Sequence, residues 1–152
     1  MNRTSLILFA AGGSAALLLG AFAFQYVGGL APCKLCLWQR WPHAAAVLIG
    51  VLALLAMPGR LLPLLGALAA LTTAAIGLYH TGIERGWWDG PNACTSAGTG
   101  GLSAEELFEQ IMTAPLVRCD EVAWQMLGLS MASWNALIAL GLALIWLRAA
   151  RG

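Results

Sequence analysis

Leu61-Leu62-Pro63-Leu64-Leu65-Gly66-Ala67-Leu68-Ala69-Ala70-Leu71-Thr72-Thr73-Ala74-Ala75-Ile76-Gly77-Leu78-Tyr79 is a run of nineteen residues without one formal charge. A run of about 18 or more apolar residues is long enough to cross the hydrocarbon core of a bilayer as a helix. Three other stretches also lack Asp, Glu, Lys and Arg: Thr4 to Cys33, Trp41 to Gly59 and Val122 to Leu147. The whole chain of 152 residues is 60% hydrophobic and 10% charged, with mean hydropathy +0.77. Ordinary soluble domains carry roughly 25% charged residues, so a water-soluble globule is excluded. A formal net charge of +1 and a pI near 7.7 leave no basic footprint for nucleic acid.

The expected architecture is an all-α integral membrane protein, a single domain over 1–152, with spans at about 5–27, 41–57, 61–79 and 129–147. Pro58, Gly59 and Arg60 read as a tight turn between the second and third spans. Counting crossings then puts the remaining loops, about 28–40 and 80–128, together on the opposite face. Lys and Arg divide evenly between the faces: Arg3, Arg60, Arg148 and Arg151 against Lys34, Arg40, Arg85 and Arg118. All seven acidic residues lie in the long loop, which leans toward external loops although acids weigh little in the positive-inside rule. The start of the chain has a rival reading, because Arg3, an apolar stretch and Ala21-Phe22-Ala23 resemble a signal peptide; its apolar segment is longer than signal cores usually are.

Small residues recur at four-residue spacing in the first span (Gly12, Ala16, Gly20) and the third (Gly66, Ala70, Ala74), a pattern expected to let helix backbones approach closely. Within the long loop, Ser103 as N-cap with Glu106 three residues on, staple residues Leu102 and Leu107, then Phe108, Ile111 and Met112, predict a short amphipathic helix. Gly90-Pro91-Asn92 and Gly98-Thr99-Gly100-Gly101 flank Cys94 and predict accessible chain around it.

Cys33, Cys36, Cys94 and Cys119 form one pair in each loop, on one side of the membrane. An even number in one compartment argues for disulfide chemistry outside the cytoplasm. Pro32-Cys33-Lys34-Leu35-Cys36 sets both sulfurs at the first turn leading into the second span, where free backbone N–H groups and the helix dipole favour a thiolate. Arg40, one turn after Cys36, adds a permanent positive charge, which makes Cys36 the expected thiolate and puts it within reach of something dissolved in lipid. Two structural disulfides stapling the loops are the plainer reading, though a Cys-x-x-Cys bridge closes too small a loop to stabilise much. A four-cysteine zinc site is weaker, because 24 residues separate Cys94 from Cys119. No metal is expected.

Cys33-Lys34-Leu35-Cys36-Leu37-Trp38-Gln39-Arg40 resembles the disulfide bond formation protein B family, DsbB, whose signature is Cys-x-x-Cys followed by Arg at the second span. The resemblance runs along nearly the whole chain, through Tyr79-His80, Cys94, Cys119-Asp120-Glu121, Trp124 and Leu127-Gly128-Leu129-Ser130-Met131. A departure is the short, Gly-rich segment around the second cysteine pair, where a partner would be recognised. The resemblance implies a multi-pass protein of the bacterial inner membrane with its cysteine loops in the periplasm. It would take electrons from a thioredoxin-fold oxidase of the DsbA type and pass them to a membrane quinone, ubiquinone or menaquinone. It also implies Cys33 and Cys36 as the quinone-proximal pair, Cys94 and Cys119 as the partner-facing pair, and Arg40 and His80 as quinone contacts. His80 has a plainer reading as a polar cap where a span meets the headgroups. Two other functions remain: a four-span scaffold with structural disulfides, and an oxidoreductase resembling vitamin K epoxide reductase, whose Cys-x-x-Cys comes late in the chain rather than before the second span.

Overall fold

The structure, a computed structural model, describes residues 2–55, 59–91, 103, 105, 108 and 117–151. Four long helices dominate it: α1 (Arg3–Tyr26), α2 (Lys34–Leu55), α3 (Leu61–Glu84) and α4 (Met131–Arg151). Each is packed on its chain neighbours, α1 also packs on α4, and α1 barely meets α3. The four therefore form a ring; short connections join α1 to α2 and α2 to α3, while the long segment 85–130 leads from α3 to α4.

α1, α3 and α4 are long and apolar enough to cross a membrane. α2 falls short by composition, because Gln39, Arg40, Pro42 and His43 interrupt its first half. Large apolar side chains face outward on every helix, among them Phe9, Leu19, Leu48, Leu68, Leu78, Leu137 and Leu144. Such a surface suits hydrocarbon as its solvent.

Helix ends differ from the expected spans for local reasons. Asn2 caps α1, its side chain accepting from the Ser5 N–H at 2.8 Å. α2 starts at Lys34, well before the apolar run, with Cys33 just outside it. α3 runs on past Tyr79 to Glu84, so His80, expected at the start of the loop, is helical. Its stop signal is Gly86, at φ 67, where Gly86 N–H meets Ile83 C=O at 3.0 Å and Trp87 N–H meets Gly82 C=O at 2.8 Å. That is a Schellman closure, which needs a residue free to adopt the left-handed region.

The expected span from 129 begins instead with two residues of strand. Gln125–Met126 (β1) pairs antiparallel with Leu129–Ser130 (β2) across a two-residue turn. Leu127 and Gly128 both have positive φ, 53 and 76, as in a type I′ hairpin.

Close approach is confined to particular small residues. A Cβ on Gly66 would stand 2.6 Å from the Trp146 ring, and one on Gly50 would stand 2.4 Å from Ala11 Cβ. Trp146 is fully buried among Ile7, Ala10, Ala67, Ala70, Leu142, Ala143 and Ala149. The stripe in α3 (Gly66, Ala70, Ala74) is thus a packing face as expected. The stripe in α1 is not: a Cβ on Gly12 or Gly20 would meet nothing within 4 Å, and Gly13 makes the close approach instead, to Leu142. Ala16 and Gly20 border a cavity. Cys94, Pro58 and most of the expected amphipathic helix at 102–112 lie outside the described residues; within that stretch Glu105 and Phe108 are helical.

Candidate functional site

At the end of the bundle that holds the loops, helix starts and polar side chains converge on one sulfur pair. Cys33 and Cys36 are both thiols, with their sulfurs 2.8 Å apart. Cys119 is disulfide-bonded. Cys33 is 5% exposed and Cys119 1%, and both belong to one buried cluster with Leu35 and Ile83.

The start of α2 treats the two sulfurs unequally. The Cys36 N–H, one of the unpaired donors of the first turn, points at Cys33 Sγ at 3.2 Å. The hydrogen bond to the Cys36 sulfur, and then burial, push the Cys33 thiol far above the ordinary cysteine range. Cys33 therefore keeps its proton and donates it toward Cys36, leaving Cys36 as the thiolate member.

Cys36 opens onto a cavity of about 440 Å³, and Cys33 does not. The cavity is walled by α1, the segment before Cys33, the hairpin and α4, with Phe24 and Trp124 meeting at 5.1 Å between ring centres. Its volume lies in the range of small-molecule sites. The polar residues on it are Gln39, Arg40, His43 and Asn135. Arg40 reaches across to α1, donating to Gln25 Oε1 at 2.6 Å and to Ala21 C=O at 3.4 Å, with its guanidinium 4.9 Å from the Phe22 ring centre. Arg40 Nε and His43 Nδ1 are buried and have no hydrogen-bond partner among the described residues.

His80 is 3% exposed and does not itself line the cavity, but it is bonded to Gln39, which does. Its Nδ1 lies 3.1 Å from Gln39 Nε2. Since an amide NH₂ only donates, Nδ1 accepts and the uncharged ring carries its hydrogen on Nε2. That N–H faces three acceptors: Cys119 C=O at 3.2 Å, Cys33 Sγ at 3.6 Å and Glu84 Oε1 at 3.8 Å. Glu84 in turn accepts a short hydrogen bond from the Ser130 hydroxyl, which ties the end of α3 to the start of α4. His80 is thus built into the sulfur pair's surroundings rather than capping a span.

Arg118, adjacent to Cys119, has the chemistry to ease departure of a Cys119 thiolate, but its charge is engaged elsewhere. Its Nε meets Asp120 Oδ1 at 2.9 Å and its NH2 meets Oδ2 at 2.5 Å, with Glu121 at 3.7 Å. The Arg118 hydrogen bonds hold the Asp120 carboxyl below the usual carboxylate range.

Sequence reading did not single out Gln39, His43, Thr73, Glu84 or Asn135. The signal was there: a polar or ionisable side chain inside an apolar run is costly in lipid and points to a site. Cys33, Cys36 and His80 also converge to within 4.8 Å, a donor set able to grip a soft metal ion.

A family model for disulfide bond formation protein DsbB matches residues 3–149. The chain is 35% identical over 145 residues to disulfide bond formation protein B of Pasteurella multocida, covering 88% of this chain and 81% of that one. It is 36% identical over 141 residues to the protein of that name from Marinobacter nauticus, covering 84% and 83%. A third relative of the same name, from Albidiferax ferrireducens, is 33% identical over 151 residues, 88% of this chain and 84% of that one. No solved structure matches.

Proposed function

Because the chain belongs to the disulfide bond formation protein DsbB family, we propose that it is a thiol:quinone oxidoreductase that reoxidises a DsbA-type periplasmic oxidase. In this reading it crosses the bacterial inner membrane four times, with the cysteine loops in the periplasm. The observation that carries it is the asymmetry of the sulfur pair: Cys36 borders an apolar cavity beside Arg40, while Cys33 is turned inward into the buried cluster of Cys119.

The cavity residues fit a quinone. An apolar wall suits the ring and its tail, and the unpartnered Arg40 Nε is a donor with a bond still to make, which a ring oxygen can accept. When bound, the quinone supplies a sink for two electrons and two protons. A strong sink is required, since DsbA-type oxidants sit near about −120 mV. Arg40 would hold an oxygen of the ring, as a planar permanent donor.

The sulfurs then work as a relay. In this reading Cys94 and Cys119 are the partner-facing pair that the family resemblance implies, and Cys119 is disulfide-bonded. The partner's thiolate attacks Cys94, forming a mixed disulfide and releasing Cys119 as thiolate; burial of Cys119 at 1% exposure shields that sulfur from the partner. In the oxidised pair, Cys119 attacks Cys33 and expels Cys36 as thiolate onto the cavity. The partner's second thiolate frees itself as a disulfide and releases Cys94, which attacks Cys119 and expels Cys33. The His80 Nε2–H, 3.6 Å from that sulfur, stabilises it as it leaves. The reduced pair, Cys33 as thiol and Cys36 as thiolate, now holds the two electrons, and forming the Cys33–Cys36 disulfide releases them together with the Cys33 proton.

The test is purified protein with reduced DsbA-type partner and a short-tailed ubiquinone analogue, without oxygen. Quinone loss and partner oxidation should match one to one. Partner oxidation that stays at a fraction of one turnover when quinone is added sinks the reading. Cys119→Ala should trap the partner on Cys94; a partner recovered on Cys33 overturns the order.

A further inference from the structure

His43 and Asn135 belong to a hydrogen-bonded chain that starts on the cavity and returns to it. His43 Nε2 meets Asn135 Oδ1 at 2.8 Å, Asn135 Nδ2 meets Gln39 Oε1 at 2.8 Å, and Gln39 Nε2 meets His80 Nδ1 at 3.1 Å. His80 Nε2 then faces Cys33 Sγ, and Cys33 faces Cys36.

Backbone carbonyls, which can only accept, fix the direction of this chain. Gln39 Nε2 also meets Leu35 C=O at 3.2 Å, so that end of the amide must be the NH₂ and the other end the oxygen. The Thr73 hydroxyl gives its hydrogen to Gln39 C=O at 3.0 Å, so its oxygen receives Asn135 Nδ2 at 3.1 Å. Asn135 therefore presents Oδ1 to His43, and the uncharged His43 ring must donate from Nε2. Every donor points the same way, from His43 toward Cys36, an order in which successive bonds reinforce one another.

His43 Nδ1 is left as a bare lone pair. His43 is 3% exposed, lines the cavity, and its Nδ1 has no partner among the described residues. A buried acceptor of this kind is satisfied by a hydroxyl and not by a carbonyl oxygen. We infer that His43 Nδ1, held as an acceptor by Asn135, is a subsite for a hydroxyl of the reduced ligand, so that the cavity binds a quinol more tightly than the matching quinone. The inference rests on the quinone reading above and adds to it a preference between the two redox forms. Tighter binding of the reduced form makes the bound acceptor a stronger oxidant, by about 30 mV for each tenfold of preference in a two-electron couple.

The experiment uses full-length protein in detergent with Cys33→Ser and Cys36→Ser, so that no electrons pass. Decylubiquinone and decylubiquinol are titrated without oxygen, and binding is read from quenching of Trp124 and Trp134 on the cavity wall. Adding His43→Leu is expected to weaken quinol binding roughly three- to tenfold, the size of one buried hydrogen bond, and to leave quinone binding within about twofold. Equal weakening of both forms, or of neither, overturns the inference and leaves the quinone site standing. If neither form binds the parent protein, the quinone reading itself fails. Should His43→Leu not fold, the parent decides alone: quinone bound as tightly as quinol overturns the proposal.

Discussion

The two ends of this bundle are held together by different physics. At the end near Arg148, Trp146 fills the space between helices that Gly66, Gly50 and surrounding alanines let come close, and its buried indole Nε1 has no hydrogen-bond partner among the described residues. At the loop end, Gln39, Thr73, His80 and Asn135 join α2, α3 and α4 by directed hydrogen bonds. Lipid tails are as apolar as leucine, so helix association there depends on close packing and on polar bonds rather than on escape from water. The packed end has no room to change. The bonded end fixes orientation without filling space, which is why it can border a cavity.

The sharpest way to break this comparison is to attack each end with one substitution. Asn135→Leu should have the largest effect on stability, since it leaves His43 Nε2, Gln39 Oε1 and Thr73 each short of a partner. Unsatisfied buried groups cost about 1–3 kcal/mol each. Gly66→Val should cost less, about 1–3 kcal/mol in total for overpacking against Trp146. Thermal unfolding in detergent checks both. Asn135→Leu should also alter quinone use per folded molecule, whereas Gly66→Val should not. Equal loss of activity per folded molecule in both would show that the two ends are not independent.

Much of this division was legible in the sequence, and the gaps have physical causes. Charge-free runs reveal lengths of apolar helix, so the four long helices were expected. Helix termini depend on caps instead, which is why α3 ends at the Gly86 closure and not where apolarity stops at Tyr79. Cys33, Cys36 and Arg40 stood out because their spacing is local. Gln39, His43 and Asn135 did not, because their meaning lies in contacts over 41, 92 and 96 positions that no single segment displays. Gly12 and Gly13 make the same point: they are adjacent in sequence, and only the second faces another helix closely.

A smaller effect sharpens the role of the cavity. Arg40→Lys should weaken quinone use roughly tenfold, because a charge-assisted hydrogen bond is worth about 1.5–3 kcal/mol and lysine keeps the charge but loses the planar fork. Lysine also loses at least one of the two bonds to α1, at Gln25 and Ala21. The check is the quinone dependence of turnover, with partner oxidation at Cys94 as the control. Wild-type behaviour in Arg40→Lys would make Arg40 a strut between α1 and α2 and nothing more.

The smallest expected effect is at Arg118, and it separates sequence proximity from influence. Arg118 is next to Cys119, yet its guanidinium is exposed and bound by Asp120 on both sides of its fork, while Cys119 is buried. A charge already paired in water adds little field at a buried sulfur, because solvent and its partner both screen it. Asp120 has its carboxyl lowered by Arg118, so whatever the pair contributes is present above the usual carboxylate pKa and fades as the pH falls through the lowered value. At neutral pH the pair is therefore fully formed. Arg118→Ala should change the rate of partner exchange by less than about twofold at neutral pH, measured as formation of the mixed disulfide under anaerobic stopped flow. A loss of about tenfold would mean that Arg118 leaves Asp120 during exchange and acts on the departing Cys119, and the buried, screened picture of that sulfur would have to be given up.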